Sequence, residues 1–168
     1  MSSTLAVIGA IAPIGAIDVV YYHLYKFRLY ERDESVAEEL THLVRQAAYI
    51  GIVAILAGGV RSASADAAML ALLALDFASS LLDVSLEHRS RASIGGLPRG
   101  EYVLHFLGTF GAAAAAVTYA FERRSLPIAP APAWQSVGVL AGGGALFLLE
   151  LGLFVRARAR RRLAACCA

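Results

Sequence analysis

The segment EELTHLVRQ (Glu38–Gln46) leads directly into AAYIGIVAILAGGV (Ala47–Val60), which contains no charged residue. The second segment is typical of a helix that spans a membrane, because a bilayer accepts long apolar helices whose backbone groups bond internally. The first segment brings two carboxylates, an imidazole and a guanidinium into the opening turns of the same helix. This combination predicts a spanning helix with a polar site at one end.

Four further apolar blocks accompany this one in a chain of 168 residues, of which 58% are hydrophobic and only 17% are charged. In a typical soluble domain about a quarter of the residues are charged. We therefore predict an all-α fold, an integral membrane bundle of five transmembrane helices. The five blocks are Thr4–Tyr25, Leu40–Val60, Ala67–Leu86, Tyr102–Phe121 and Val137–Val155.

The helices are predicted to form a single transmembrane domain, residues 1–162, followed by a short flexible cytoplasmic tail, residues 163–168. The proline-rich stretch Leu126–Trp134 is predicted to be a stiff connector between the last two helices. Ser35 followed by Glu38 fits a capping box at the start of the second helix. The third helix is predicted to be capped by Ser64 or Asp66.

Small residues are concentrated on the last two helices, in GTFGAAAAA (Gly108–Ala116) and AGGGA (Ala141–Ala145). Small side chains let helix backbones approach closely inside a membrane. We therefore predict that both segments are packing faces, and a homo-oligomer is left open.

Lysine and arginine are divided unevenly between the two sides of a five-span chain. Cytoplasmic loops carry the excess of these residues, so the sequence predicts a multi-pass protein of the cell membrane, or inner membrane, with its N-terminus outside and its C-terminus in the cytoplasm. The outer side has only Arg61, Arg123 and Arg124. The cytoplasmic side has Lys26, Arg28, Arg32, Arg89, Arg91, Arg99 and the run Arg156–Arg162.

The run RARARRR (Arg156–Arg162) directly follows the fifth helix. A basic cluster beside a membrane helix is attracted to anionic lipid headgroups. We therefore predict that the tail binds the bilayer surface, and we expect no nucleic acid partner.

Ionisable side chains from all five helices are predicted to lie at one depth, in the cytoplasmic leaflet. At about 1.5 Å of rise per residue, Asp83 and His105 lie roughly 9 Å inside the arginines that flank their helices. Residues three, four or seven apart share a helix face, and charged groups that face lipid are costly, so the layer should face the bundle interior. On the first helix, Asp18 and Tyr22 are predicted to share a face, with His23 one position round.

Two pairs in this layer, Glu39–His42 and Glu101–His105, have the spacing of metal ligands on a helix. Helical bundles build di-iron sites from glutamates and Glu-x-x-His motifs on facing helices, and mixed nitrogen and oxygen ligands suit iron, manganese or zinc. We predict that His42 and His105 face each other across the bundle. The predicted ligands are His42, His105, Glu39, Glu101, Asp83, Asp18, His23 and Glu87. The predicted remainder of the polar site is Arg45, Asp76 and Glu150.

Four functions are compatible with this pattern. The first is a metal-dependent membrane enzyme that acts on a lipid or another apolar molecule. The second is a proton- or ion-coupled transporter, in which Asp76, near the midplane, extends a titrating path. The third is an electron carrier whose haem is held by two of the histidines, and the fourth is a scaffold whose polar layer only fixes helix packing. The substrate, the metal and the oligomeric state are left open.

Overall fold

The computed structural model describes residues 3–59, 62–124 and 133–166, and no strand occurs among them. Each of the five main helices is long and apolar enough to cross a membrane. This confirms the all-α bundle and the architecture of a multi-pass membrane protein. In chain order they are α1 (Ser3–Lys26), α2 (Val36–Gly58), α3 (Ala63–Ser90), α4 (Arg99–Arg124) and α5 (Ala133–Cys166). Short 3₁₀ turns at Leu29–Glu31 and Ala92–Ile94 belong to the α1–α2 and α3–α4 connections.

The bundle consists of two helix pairs, α2 with α3 and α1 with α4, and α5 packs against α2 and α1. Successive helices run in opposite directions. We call the end with the α1–α2 and α3–α4 connections and the Arg156–Arg162 run the basic end, and the opposite end the far end. The main apolar core lies at the far end and consists of Leu5, Ile8, Ile52, Val53, Met69, Ala115 and Tyr119.

The outside of the bundle is strongly apolar, as a surface that faces lipid must be. Large side chains such as Phe77 and Leu82 on α3 and Phe106 and Phe110 on α4 are more than half exposed. A water-soluble chain rarely exposes so contiguous an apolar surface, so this exterior fits a bilayer.

The predicted cap of α3 is wrong. Ser62 caps the helix instead, because its hydroxyl accepts a hydrogen bond of 3.1 Å from the backbone N–H of Ala65. Asp66 is used in a contact between helices, where it accepts a hydrogen bond of 2.9 Å from the Tyr119 hydroxyl and pairs with Arg123.

The predicted capping box of α2 is also wrong. Ser35 is the N-cap residue, but its side chain makes no capping bond and instead accepts a hydrogen bond of 2.8 Å from the Ser90 hydroxyl. Glu38 pairs with Arg91. Buried partners on α3 and its following turn therefore compete successfully with the local backbone for both side chains.

The fifth helix is longer than predicted. Residues 163–166, assigned above to a flexible tail, continue α5, because alanine, arginine and leucine all favour a helix. Within the basic run, Arg158 and Arg161 pair with Asp33 of the α1–α2 connection, whereas Arg156, Arg160 and Arg162 are exposed. The described residues do not include the predicted connector up to residue 132, nor do they include Arg61 or Cys167.

Candidate metal centre

The basic half of α1 brings two ligand-type side chains onto one face. Residues Asp18–Lys26 form a π-helix, in which hydrogen bonds join residues five apart. His23, five residues after Asp18, therefore shares its face, and the two side chains are buried. Tyr22, four residues after Asp18, is only half-buried. The sequence pattern contains no signal for this change of helix type.

The other helices direct their predicted polar residues inward, with the spacing expected of α-helices. On α3, Asp76, Asp83 and Glu87 form one buried stripe. Nearly all of the side chains that were predicted to form the polar site are buried, and His105 is largely buried. The buried members are Asp18, His23, Glu39, His42, Asp76, Asp83, Glu87, Glu101 and Glu150.

Three imidazole rings from three helices meet at the centre of this layer. The ring centroids of His42 and His105 are 6.1 Å apart, so the predicted closeness of these two histidines is observed. His23 is nearer still to His42, at 4.1 Å, and lies 6.4 Å from His105. The three histidines among the predicted ligands therefore meet at one place.

The imidazole rings of His23 on α1 and His105 on α4 each have a carboxylate beside Nδ1. His23 Nδ1 lies 3.3 Å from Glu39 Oε1, and His105 Nδ1 lies 2.5 Å from Glu87 Oε1. Metal-binding histidines are commonly oriented by a carboxylate on the second nitrogen. The Nε2 atom of each of the three rings also lies within 3.5 Å of a carboxylate oxygen.

Each of these Nε2 contacts joins an imidazole and a carboxylate from different helices. His105 Nε2 is 2.8 Å from Asp18 Oδ2, His42 Nε2 is 3.2 Å from Asp83 Oδ2, and His23 Nε2 is 3.5 Å from Glu101 Oε1. Two atoms bound to one metal at about 2.0–2.2 Å lie at most about 4.4 Å apart. These separations fit the donor set of a metal centre.

Among the candidate ligand sets of the described residues, three pairings share no residue, and one of these pairings combines a set of four residues with a set of three. Within each set, one donor atom from every member lies within 4.8 Å of the others. Each set contains both histidine and carboxylate, which are donor types of a metal site. The first set is Asp18, His23, Glu101 and His105, and the second is Glu38, His42 and Asp83.

The buried layer carries far more acid than base. Eight buried carboxylates are accompanied by the guanidinium groups of only two arginines, Arg45 and Arg91, among the described residues of the interior. Even with all three imidazoles protonated, a negative surplus would remain. An uncompensated buried charge is costly, so the interior requires additional protons or cations. The eight are Asp18, Glu38, Glu39, Asp76, Asp83, Glu87, Glu101 and Glu150.

Arg91 closes the layer at the basic end. Its side chain is fully buried, its Nη1 donates a hydrogen bond of 2.8 Å to Glu38 Oε2, and it also pairs with Glu101. Burial alone would lower the pKa of Arg91, but the hydrogen bond to Glu101 and the charge of Glu38 raise it above its usual value. Arg91 therefore stays charged between two carboxylates.

The sequence analysis assigned Arg91 only to a positively charged loop and missed this role. A signal was present, because Arg91 follows Glu87 by four residues and so extends the stripe of Asp76 and Asp83 by another turn.

Arg45 and Gln46 bind carboxylates deeper in the bundle. Arg45 contacts Asp76 and Asp83, each at 3.3 Å. Gln46, which the sequence analysis did not select, donates a hydrogen bond to Glu150. In contrast, His88 is exposed at the end of α3, as a residue outside the site should be.

A cavity of about 700 Å³ begins at this layer and extends toward the far end between α1, α2, α4 and α5. Asp18, His42 and His105 line it, together with Arg45 and Gln46. Most of its other lining is aliphatic or glycine. A large apolar pocket with a few convergent polar groups is the usual form of a small-molecule site.

The glycine segments of α4 and α5 serve two different purposes. A Cβ at Gly111 would collide with Ile11, so here the predicted close packing is observed. A Cβ at Gly108 or Gly142 would meet nothing within 4 Å, and both residues line the cavity. The prediction that the AGGGA segment is a packing face is therefore wrong for Gly142, because the space beside it is open.

Comparison with models of protein families, with curated proteins and with solved structures finds no match for the chain. Function must accordingly be argued from the chemistry of the site.

Proposed function

We propose that the chain is a membrane-embedded metalloprotein whose dinuclear histidine–carboxylate centre acts on a lipid or another apolar molecule. The observation that carries this proposal is the pair of separate ligand sets within a buried layer rich in negative charge. Two divalent cations would offset most of that charge. Nitrogen and oxygen donors together suit iron, manganese or zinc.

The residues have distinct parts in this proposal. His23, His105 and Asp18 would hold one metal ion, and His42 and Asp83 would hold the other. Glu39 and Glu87 orient two of the imidazoles through Nδ1, which fixes the rings that present Nε2. A metal in such a site acts as a Lewis acid or redox centre for a bound molecule.

Arg45 and Arg91 would share with the metal ions in balancing the charge of the surrounding carboxylates. Arg45 lies at the cavity side of the layer and Arg91 at the loop side. Each contacts a carboxylate that belongs to one of the proposed ligand sets. The two guanidinium groups would therefore limit how many cations the layer can accept.

Elemental analysis of the full chain purified in mild detergent tests the centre. We expect about two iron, manganese or zinc ions per chain, consistent with the two ligand sets. His23→Ala and His42→Ala should each lower the content, whereas His88→Ala, at an exposed histidine, should leave it unchanged. A metal-free wild-type protein, or equal loss in all three variants, would contradict the proposal, and a Soret band would identify haem instead.

A second candidate is a proton- or ion-coupled transporter, because the ionisable groups continue beyond the metal layer. Asp76 is buried deeper in the bundle and Arg45 links it to Asp83, which in turn contacts His42. Such a chain is the usual form of an ion path. Proton or cation flux into liposomes that contain the protein, abolished by Asp76→Asn, would favour transport over catalysis.

The proposed orientation places the basic end in the cytoplasm, following the arginine asymmetry. Reporter fusions at both termini test it, with activity expected from a cytoplasmic reporter at the C-terminus only. A cytoplasmic N-terminus would move the centre to the outer leaflet without changing its ligands.

A further inference from the structure

We infer that the cavity binds a linear hydrocarbon chain, and that the glycines of its wall set the length of chain that it accepts. This inference rests on the proposed function, since the metal centre is what the polar end of the bound molecule would reach. It adds to that function the chemical class of the ligand and the residues that select it.

The shape of the cavity is elongated along the helices. Its lining extends from Ile8 to Val20 on α1 and from Gly138 to Leu149 on α5. At 1.5 Å per residue these segments are about 16–18 Å long. A cavity of about 700 Å³ with that length fits an extended chain lying parallel to the lipid tails of the bilayer.

The two ends of the cavity differ in polarity. Toward the far end its lining includes Ile8, Val53 and Val139, whereas Asp18 and His42 line the other end. Asp18 Oδ1 is buried and has no hydrogen-bond partner among the described residues. An apolar chain with one terminal polar group matches this distribution, because unpaired buried polar atoms need a partner.

The cavity opens sideways between α1 and α5. Gly15 on α1 and Gly138 and Gly142 on α5 line it and are exposed. In a membrane-spanning bundle this opening would face the bilayer. A hydrocarbon chain would therefore enter from the lipid without passing through water.

The glycines of the wall make the space rather than bring helices together. A Cβ at Gly9, Gly15, Gly108, Gly138 or Gly142 would meet nothing within 4 Å. Glycine weakens a helix interior relative to alanine, and no close packing compensates for that at these positions. A larger side chain there would project into the cavity and shorten it without disturbing the metal ligands.

Photo-crosslinking to the full chain in detergent tests the inference. The probes are straight-chain decyl and hexadecyl alcohols with a diazirine at the chain end. We expect the hexadecyl probe to label cavity residues near the far end, such as Ile8, Val53 or Val139, and an excess of unlabelled hexadecanol to suppress that labelling.

Gly142→Leu is the decisive variant, and Gly144→Leu is its matched control. A Cβ at Gly144 also meets nothing within 4 Å, but Gly144 does not line the cavity. Each methylene excluded from apolar burial weakens binding about fourfold. We therefore expect Gly142→Leu to reduce hexadecyl labelling about tenfold or more, to reduce decyl labelling less, and Gly144→Leu to change neither.

Labelling confined to residues outside the cavity, or equal effects of the two leucine variants, would overturn the inference. Metal content measured on the same samples separates the two proposals. A wild-type protein that contains metal but does not label in the cavity contradicts the chain-binding inference alone. Cavity labelling in a protein without metal supports chain binding and contradicts the metal centre.

Discussion

The two ends of the bundle bury very different side chains, although α1, α2, α3 and α4 contribute to both. The far end is filled by an apolar core that includes Leu5, Ile52 and Met69. At the basic end the same helices bury carboxylates, imidazoles and two guanidinium groups. Apolar packing stabilises a fold, whereas buried charge does so only with well-placed partners. Under the proposed function, the far end would maintain the bundle and the basic end would perform its chemistry.

Polar residues at the far end underline this contrast. Asp66 has both a hydroxyl partner, Tyr119, and a cationic partner, Arg123. Glu122 accepts a hydrogen bond of 2.8 Å from the Thr4 hydroxyl. At the basic end the buried carboxylates do not all have a cationic partner of this kind, because they outnumber the arginines among the described residues. Local departures from full satisfaction are expected at functional sites.

The largest effect is expected from Arg91→Ala. This change leaves the buried carboxylates of Glu38 and Glu101 without their shared cation, and losing one partner of a buried ion pair costs about 3–5 kcal/mol. The free energy of unfolding, measured by denaturant titration in detergent micelles with circular dichroism, should fall by that amount. Arg89→Ala, at an exposed arginine two residues earlier, is the control and should stay within about 0.5 kcal/mol. Equal stability of the two variants would remove Arg91 from the buried network.

A truncation in the far-end core should also destabilise the bundle, but without affecting the centre. Ile52 is 3% exposed, and Ile52→Ala should lower the free energy of unfolding by about 2–4 kcal/mol through lost burial and a residual cavity. Leu40→Ala, on the same helix at a residue that is 47% exposed, should have a much smaller effect. Metal content should be unchanged in both variants. A loss of metal in Ile52→Ala would show that the two ends are not independent.

Removing metal should destabilise the basic end. Cations that bind only the folded chain stabilise it by about 2.7 kcal/mol when their free concentration is a hundred times the dissociation constant. A chelator should therefore lower the melting temperature of the wild-type protein and of His88→Ala equally. In His42→Ala the chelator should have about half the effect, because one of the two ligand sets is incomplete and the other remains. An unchanged melting temperature in the wild-type protein would indicate that protons, not metal ions, balance the buried carboxylates.

The sequence was sufficient to predict the membrane bundle and most of the polar layer. Long apolar blocks have few alternatives to spanning helices, and the spacing of Asp76, Asp83 and Glu87 requires one shared face of an α-helix. The common level of these side chains along the bundle could also be predicted, because the rise per residue of a helix is fixed. These features depend on local geometry, which the sequence pattern specifies directly.

The parts that could not be predicted depend on competition between helices. His23 joins Asp18 only because the basic half of α1 is π-helical. Ser35 and Glu38 leave their expected capping roles because Ser90 and Arg91 are nearby in space. The cavity beside Gly142 depends on where α1 and α5 diverge, and a glycine is compatible with either close packing or open space. Tertiary contacts decide each of these cases.

The smallest effect is expected at the far-end ion pair. Arg123 and Asp66 have side chains that are 38% and 21% exposed, so solvent screens their attraction. Such pairs contribute about 0–1 kcal/mol, and Asp66 retains the Tyr119 hydroxyl when the arginine is removed. Arg123→Gln should therefore lower the free energy of unfolding by less than about 1 kcal/mol, and added salt should reduce the difference further. Arg124→Gln, at the exposed neighbouring arginine, provides the baseline. If Arg123→Gln were as damaging as Arg91→Ala, the far end would depend on buried charge as the basic end does, and the proposed division between packing and chemistry would be wrong.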